Sequence, residues 1–255
     1  MKCNNFGLIS VIMAAYNAEA TIEQSIRSVL RQTYKNLELI VIDDCSKDRT
    51  VEIVNRISME DCRVKLLRNS KNSGVSYTRK NGLDIANGDW IAILDSDDEW
   101  LPEKLEKQIV LQNRTNAELL YTGSAFMDES GNRLNWNLQV PLQLEYKQLL
   151  KQNLISNSSA LVRKKLYSEY YAIGDDMHED FATWLKILKG DVVAYGVNEP
   201  LLIYRLARKS KSGNKIVAAK MNWKTYRFIG LNVFEALYYE FWYVIRGLMK
   251  YRRLK

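Results

Sequence analysis

The chain has 255 residues, enough for one large domain or two small ones. Hydrophobic residues make up 47% and charged residues 26%, which excludes a disordered chain, and 3 Pro with 12 Gly exclude a fibrous one. The net charge of +7 is uneven: residues 201–255 hold 13 Lys and Arg against two acids, Glu235 and Glu240, so the rest of the chain is mildly acidic.

Three cysteines (Cys3, Cys45, Cys62) without a CxxC spacing support neither a disulfide framework nor a thiolate zinc site, and one histidine, His178, excludes a multi-histidine centre. The first residues lack the apolar core of a signal peptide, and no apolar run reaches the ~18–20 residues of a membrane span, so neither feature is expected.

In chain order the first hundred residues alternate strand and helix. Residues 8–14 (LISVIMA) form a short run rich in β-branched residues, which reads as a buried strand. A helix over 21–31 follows, with Ile22, Ile26, Val29 and Leu30 at helical spacing. Strands are expected at 37–42 (LELIVI), 63–67 and 90–94 (WIAIL), with helices at 50–57 and 76–86 between them. This βαβ order predicts an α/β fold, a mostly parallel sheet covered on both faces, with ligands at the carboxyl ends of its strands.

The strand ends are therefore the places to search. Ala15, Tyr16 and Asn17 follow the first, Asp43 to Asp48 (DDCSKD) the second, and Asp95-Ser96-Asp97-Asp98 the fourth. No glycine-rich phosphate loop is present, which argues against a dinucleotide enzyme and a P-loop NTPase. Clustered carboxylates repel one another unless a cation or hydrogen-bond donors compensate. Oxygen ligands without Cys or His suit Mg²⁺ or Mn²⁺. Asp43, Asp44 and Asp48 can equally cap the next helix, whereas three acids within Asp95–Asp98 exceed what a cap needs.

Taken together, SVIMAAYNAEATI, DDCSKDRT, NSGVSYTRKNGLDIANGDWIAILDSDD and HEDFATWLKIL resemble the family 2 glycosyltransferases of the GT-A fold, over roughly residues 7–205. The resemblance implies that Ala15 and Tyr16 line a base pocket, that Asp44 binds the nucleobase edge, and that Arg79 reaches the base or phosphates of the nucleotide. It implies that Asp97 contacts the ribose and Asp98 the metal, with the choice of direct ligand between Asp97 and Asp98 open and Asp95 in support. It places the general base at Glu179-Asp180, with Asp180 as the base and Glu179 and His178 as supporting residues. A helix N-terminus also favours such acids for electrostatic reasons alone. Asp175 and Asp176 are expected on a solvated loop. Two departures from the family pattern stand out: Lys80 follows Arg79 where the family often has Asn, and no QxxRW segment of processive synthases is present.

Further along, residues 127–132 read as a turn between strands with Gly131 at its tip. Residues 157–162 end in a strand-like run whose Asn157, Ser158 and Ser159 are candidates to face an acceptor sugar, and residues 201–206 (LLIYRL) read as a strand. Residues 207–215 form a basic, glycine-containing loop, a candidate lid over a diphosphate. One long helix is expected over about 221–253. Asn232, Glu235, Tyr239, Tyr243, Arg246, Lys250 and Arg253 share one stripe of it, and Phe228, Ile229, Phe234, Leu237, Phe241, Trp242, Val244, Ile245, Leu248 and Met249 lie opposite. From about Trp242 it reads as an in-plane membrane helix with a basic end.

These readings converge on a GT-A catalytic domain over 1–220, its nucleotide-sugar half about 1–100 and its acceptor half about 101–220, with a basic amphipathic extension at 221–255. The expected activity is metal-dependent (Mn²⁺ or Mg²⁺), inverting transfer of one sugar from a nucleotide-sugar, UDP-linked in most of the family, to a saccharide hydroxyl. The expected acceptor is polyprenyl-diphosphate-linked, at the cytoplasmic face of a bacterial inner membrane, with an anionic membrane surface as partner and no nucleic acid. The rival readings are a sugar-phosphate nucleotidylyltransferase, which should carry a glycine-rich basic N-terminal loop, and an inactive nucleotide-sugar-binding scaffold.

Overall fold

The structure is a computed structural model and describes residues 6–206 and 215–252. Strands β1 (Ile9–Ala15), β2 (Leu37–Asp43), β3 (Val64–Arg68) and β4 (Trp90–Ile93) alternate with helices α1 (Ile22–Leu30), α2 (Thr50–Glu60) and α3 (Val75–Ile85). All seven lie within three residues of their expected bounds. Then come β5 (Glu99–Trp100), α4 (Lys104–Thr115), β6 (Leu119–Met127), β7 (Arg133–Leu138), β8 (Gln143–Leu144), α5 (Tyr146–Leu149) and a 3₁₀ turn (Asn157–Ser159). The chain continues through β9 (Leu161–Arg163), α6 (Lys164–Tyr170), α7 (Glu179–Leu188), β10 (Ala194–Arg205), α8 (Lys215–Phe228) and α9 (Val233–Arg252). The expected basic loop at 207–215 falls, up to residue 214, outside the described residues.

One sheet runs β3-β2-β1-β4-β9-β6-β10-β5, with β7 on β6 and β8 on β10. Its first half is parallel, as the sequence order predicts. Short β9 lies antiparallel between β4 and β6, and β6 runs parallel to β10, so the second half is mixed. The parallel strands are buried on both faces, which is why they read as unbroken apolar runs. Val11 and Met13 join Ile22, Ile26 and Val54 on one face, while Ile12, Ile40 and Ile42 join Leu83, Phe181 and Trp184 on the other. Each fully buried Ile or Val of this kind contributes roughly 1.5–3 kcal/mol. The expected turn after Met127 closes β6 onto β7, with the Gly131 N–H donating to the Asp128 carbonyl at 3.0 Å.

The single long helix expected at the C-terminal end is two helices. Gly230 takes φ +89°, a left-handed conformation that ends α8, and the Leu231 N–H closes back on the Tyr226 carbonyl. Asn232 and Glu235 do not decorate a stripe: the Asn232 side chain accepts the Glu235 N–H at 3.0 Å and the Glu235 side chain accepts the Asn232 N–H at 2.9 Å. This reciprocal cap starts α9. Tyr239 and Tyr243, expected on the polar side, pack against the body with the buried Ala236. Among the described residues no helix is long and apolar enough to cross a membrane.

Candidate active site

The carboxyl ends of β1, β2 and β4 meet at one edge of the sheet, where Ala15 pairs with Asp43 and the Leu94 N–H donates to the Ile12 carbonyl. Ala15 is buried, and Tyr16 stands half exposed at the mouth. The acids after β2 are fully engaged. Asp43 accepts the Ser46 N–H and pairs with Arg68 at 3.2 Å. Asp44 accepts the Ser73 N–H (2.8 Å), the Gly74 N–H (2.9 Å) and the Asn69 amide (2.8 Å). Asp48 accepts from Glu19 and twice from Thr50. The structure thus uses Asp44 to fasten the loop before α3. A carboxylate has about four acceptor positions, so it keeps little capacity for a further partner.

The acids after β4 are different. The Asp98 N–H bonds the Asp95 carbonyl at 3.1 Å, folding the segment into a tight turn that crowds three carboxyl groups together. Asp98 is buried; its Oδ1 accepts the Arg205 N–H at 2.9 Å, while its Oδ2 is buried without a partner. Burial and the charges of Asp97 and Asp95 push its carboxyl well above the ordinary range. Asp97 is half-buried, and burial with the Asp95 charge raises it to about 6. Asp95 is half-buried too and pairs with Arg79.

Arg79 connects this turn to the start of α7. It is buried on α3, with one guanidinium nitrogen on Asp95 and the other on Glu179. The resemblance aimed it at the nucleotide; here it bridges two carboxylates 84 residues apart in sequence. Lys80 turns away and pairs with Asp84 one helical turn on. Glu179 and Asp180 open α7. Burial raises both carboxyls; Arg79 opposes this for both, and neighbouring acids reinforce it. Glu179 is held by Arg79, whereas the Asp180 carboxylate meets the Phe181 N–H and its own N–H at the helix start. His178 donates its backbone N–H to Thr225 Oγ1 at 3.1 Å, and its ring Nε2 lies 3.4 Å from the Ala218 carbonyl, so it ties α7 to α8.

Two expectations are corrected. Asp175 is not on a solvated loop: it accepts the Ser76 N–H at 3.2 Å and sits so close over Gly74 that a Cβ there would lie 1.7 Å from its Oδ2. Gly74 also takes φ +83°, so this close approach needs glycine. Ser158 and Ser159 do not line an acceptor cleft; both are buried. Ser158 braces the acidic turn, its Oγ accepting the Asp95 N–H at 3.1 Å and its carbonyl the Trp100 indole N–H at 2.7 Å. Arg205, missed in the sequence, pins the same turn by donating to the carbonyls of Asp97 (2.9 Å) and Glu129 (3.2 Å). Its signal was a charge closing the apolar run LLIYRL.

Among the described residues no three His, Cys, Asp or Glu side chains are preassembled as a cation cage. The donor set of the turn still fits a hard cation. It is all oxygen, Asp97 and Asp98 are raised by crowding and burial, and Asp98 Oδ2 is an orphaned buried acceptor. Mg²⁺-type ions are commonly held by one or two carboxylates completed by substrate phosphates.

Comparison with known proteins identifies the family. The family description "Glycosyl transferase family 2" matches residues 10–171. TuaG of Bacillus subtilis, named for teichuronic acid biosynthesis, is 36% identical over 222 residues, covering 87% of this chain and 88% of TuaG. The Escherichia coli UDP-Glc:alpha-D-GlcNAc-diphosphoundecaprenol beta-1,3-glucosyltransferase WfgD is 35% identical over 246 residues, covering 96% of this chain and 95% of WfgD. Among solved structures, Staphylococcus aureus TarS 1-349 in complex with UDP-GlcNAc superposes with a TM-score of 0.71 at 19% identity, covering 87% of this chain and 65% of that one. The mannosyltransferase PcManGT of Pyrobaculum calidifontis, in complex with GDP-Man and Mn²⁺, gives 0.71 at 16% identity, with 89% and 65% covered. The chain thus spans about two thirds of the solved chains it matches. It belongs to glycosyl transferase family 2 and is a glycosyltransferase of the GT-A fold.

Proposed function

We propose that the chain moves one sugar from a UDP-sugar to a hydroxyl of a polyprenyl-diphosphate-linked saccharide, with inversion, during assembly of a bacterial surface polysaccharide. The observation that carries this reading is Asp180. It is a half-buried carboxylate with a raised pKa at the start of α7, joined through Glu179 and Arg79 to the acidic turn. Because Arg79 occupies Glu179, Asp180 is the group left to accept a proton. In a single displacement the acceptor oxygen bonds the anomeric carbon as the bond to the nucleoside diphosphate breaks, and the hydroxyl proton passes to Asp180. One displacement inverts the anomeric centre.

Ala15, Tyr16 and Asp44 supply the nucleobase end of the donor site, with Asp44 acting mainly by fixing the loop at residues 72–74. Asp97, half-buried in the turn, is the direct ligand for Mn²⁺ or Mg²⁺ in this reading, with Asp98 behind it. The chemistry such a cation supplies is neutralisation of charge on the departing diphosphate. The lipid-linked acceptor is supported by the similarity to WfgD across 96% of the chain. In this reading the work takes place at the cytoplasmic face of a bacterial inner membrane. The test is transfer from a panel of UDP-, GDP- and dTDP-sugars to a synthetic GlcNAc-diphosphoundecaprenol, with the product's linkage read by NMR. An inverted linkage from a UDP-sugar, lost in EDTA, is expected. A retained configuration, or full transfer in EDTA, overturns the mechanism.

A further inference from the structure

Helix α9 has two unlike faces. Toward the body it buries Ala236, packs Tyr239 and Tyr243, and turns Glu240 inward to accept the Asn222 amide at 2.7 Å. Away from it stand Phe234, Leu237, Tyr238, Phe241 and Val244, 83%, 54%, 50%, 61% and 47% exposed. At 100° per residue these five form one continuous stripe. It begins two turns earlier than the docking segment expected from Trp242 onward.

Five large apolar side chains in one exposed row mark a surface that something covers. Charge decides what. Both acids of α9 are engaged, Glu235 in the exposed cap that starts the helix and Glu240 turned inward on Asn222. Arg246 lies within the helix, Lys250, Arg252, Arg253 and Lys255 follow in sequence, and residues 201–255 together carry 13 basic residues against those two acids. A symmetric contact between two copies would bring two such segments together, and like charges oppose it. An anionic lipid surface is attracted by the same charge while the apolar stripe enters its interface.

We propose that α9 lies in the plane of an anionic lipid surface and docks the enzyme there through Phe234, Leu237, Tyr238, Phe241 and Val244. The docking element is coupled to the base. Phe181, next to Asp180, packs its ring 5.8 Å from that of Tyr243 on α9 and 6.0 Å from that of Tyr226 on α8. His178 is tied to Thr225 of α8. A lipid plane set by α9 therefore sets the height of Asp180 above it. The docking deepens the lipid-linked acceptor reading and rests on it for the acceptor's identity, not for the binding itself.

The test uses the full chain and sedimentation with vesicles of phosphatidylethanolamine containing increasing phosphatidylglycerol. Wild type should bind in proportion to phosphatidylglycerol and release with added salt. Leu237→Glu with Phe241→Glu should weaken binding at least about tenfold while leaving hydrolysis of the sugar nucleotide within a few fold. Leu237→Ser with Phe241→Ser, milder and equally exposed, should weaken it too. Equal binding by either variant and wild type overturns the proposal. So does a wild-type dimer, seen by sedimentation velocity, that the substitutions dissociate while vesicles are never bound. Vesicle binding that depends on the stripe, without transfer to any lipid-linked acceptor, keeps the docking and removes the acceptor reading instead.

Discussion

Two acidic segments follow the two parallel strands that flank β1, and they meet opposite fates. After β2, Asp43, Asp44 and Asp48 are each met by backbone N–H groups of the loops around them. After β4, Asp97 and Asp98 are crowded beside Asp95, with few donors and an orphaned Oδ2. The sequences look alike; the difference lies in where the donors are. A carboxylate satisfied by the backbone builds the site, while one left short of donors is ready for a charge brought by ligand. The first set thus serves geometry, and in the proposed function the second is held for chemistry.

The largest effect expected from this contrast is at Asp97. Asp97→Asn should bring transfer down to the level that wild type shows in EDTA, measured by product formation with the preferred donor. The metal-free protein should meanwhile melt slightly higher, because one of three crowded like charges is gone. Loss of activity together with a lower melting temperature would place Asp97 among the structural acids and erase the contrast.

Next in size is Asp180. Asp180→Asn should cost ~10²–10⁴-fold in kcat, typical of a lost general base, with the donor KM kept within a few fold. A base acts only when ionised, and burial raises the Asp180 pKa. The acid limb of kcat/KM should therefore sit above the pH at which an exposed aspartate titrates, and activity should fall as pH drops through it. The variant should lack that limb. An unchanged limb in Asp180→Asn would hand the role to another group.

The parallel half of the fold was legible because both faces of its strands are buried, leaving apolar runs such as LELIVI. β5 and β8 were not, being two residues each, and β7 was hidden by its polar, half-exposed alternation. The break between α8 and α9 was readable in principle: Gly230 followed by Asn232 and Glu235 is a helix stop and a helix start. Helical periodicity alone ran across it. Of the site, the acids could be named from sequence, but not which were satisfied. That depends on donors such as Asn69, Ser73 and Gly74 at Asp44 and the Arg205 N–H at Asp98, brought in from loops and strands elsewhere in the chain. Lys104, fully buried with its ammonium 3.9 Å from the centre of the Trp100 ring, gave no sequence signal at all.

Glu38 extends the satisfied class to its limit and gives the contrast a pH signature. It is buried on β2 and accepts from Ser10 Oγ (2.6 Å), the Asn87 N–H (2.7 Å) and Lys65 (2.7 Å). Burial alone would raise its pKa, but Lys65, Ser10 and Asn87 together hold it at about 2. A depressed carboxyl stabilises the fold above its unfolded value near 4.5 and loses that stabilisation as pH falls toward 2. Lys65 is half exposed, so screening trims the gain to about 2 kcal/mol. Denaturant titrations of wild type at pH 7 and pH 3 should differ by most of that amount more than those of Glu38→Gln. Equal pH dependence in the two proteins would mean that Glu38 is not held in its charged form.

The smallest expected effect is the most direct check on the satisfied segment. Asp48 accepts the Thr50 N–H at 3.0 Å and the Thr50 hydroxyl at 2.6 Å just before α2, and the Glu19 N–H at 3.0 Å from the loop after β1. Asp48→Ala leaves those donors to water at an exposed edge, so the cost is that of a lost helix cap, about 1 kcal/mol. Transfer assayed well below the melting temperature should stay within a few fold, because Asp48 supports the loop without being held for ligand. Asp97→Asn should do the reverse on both counts, losing transfer and gaining stability. The pair of variants therefore separates the two segments by sign and not by size alone. If Asp48→Ala lost transfer as severely as Asp97→Asn while melting like wild type, the acids after β2 would be working in the chemistry, and backbone satisfaction would not be what divides the two segments.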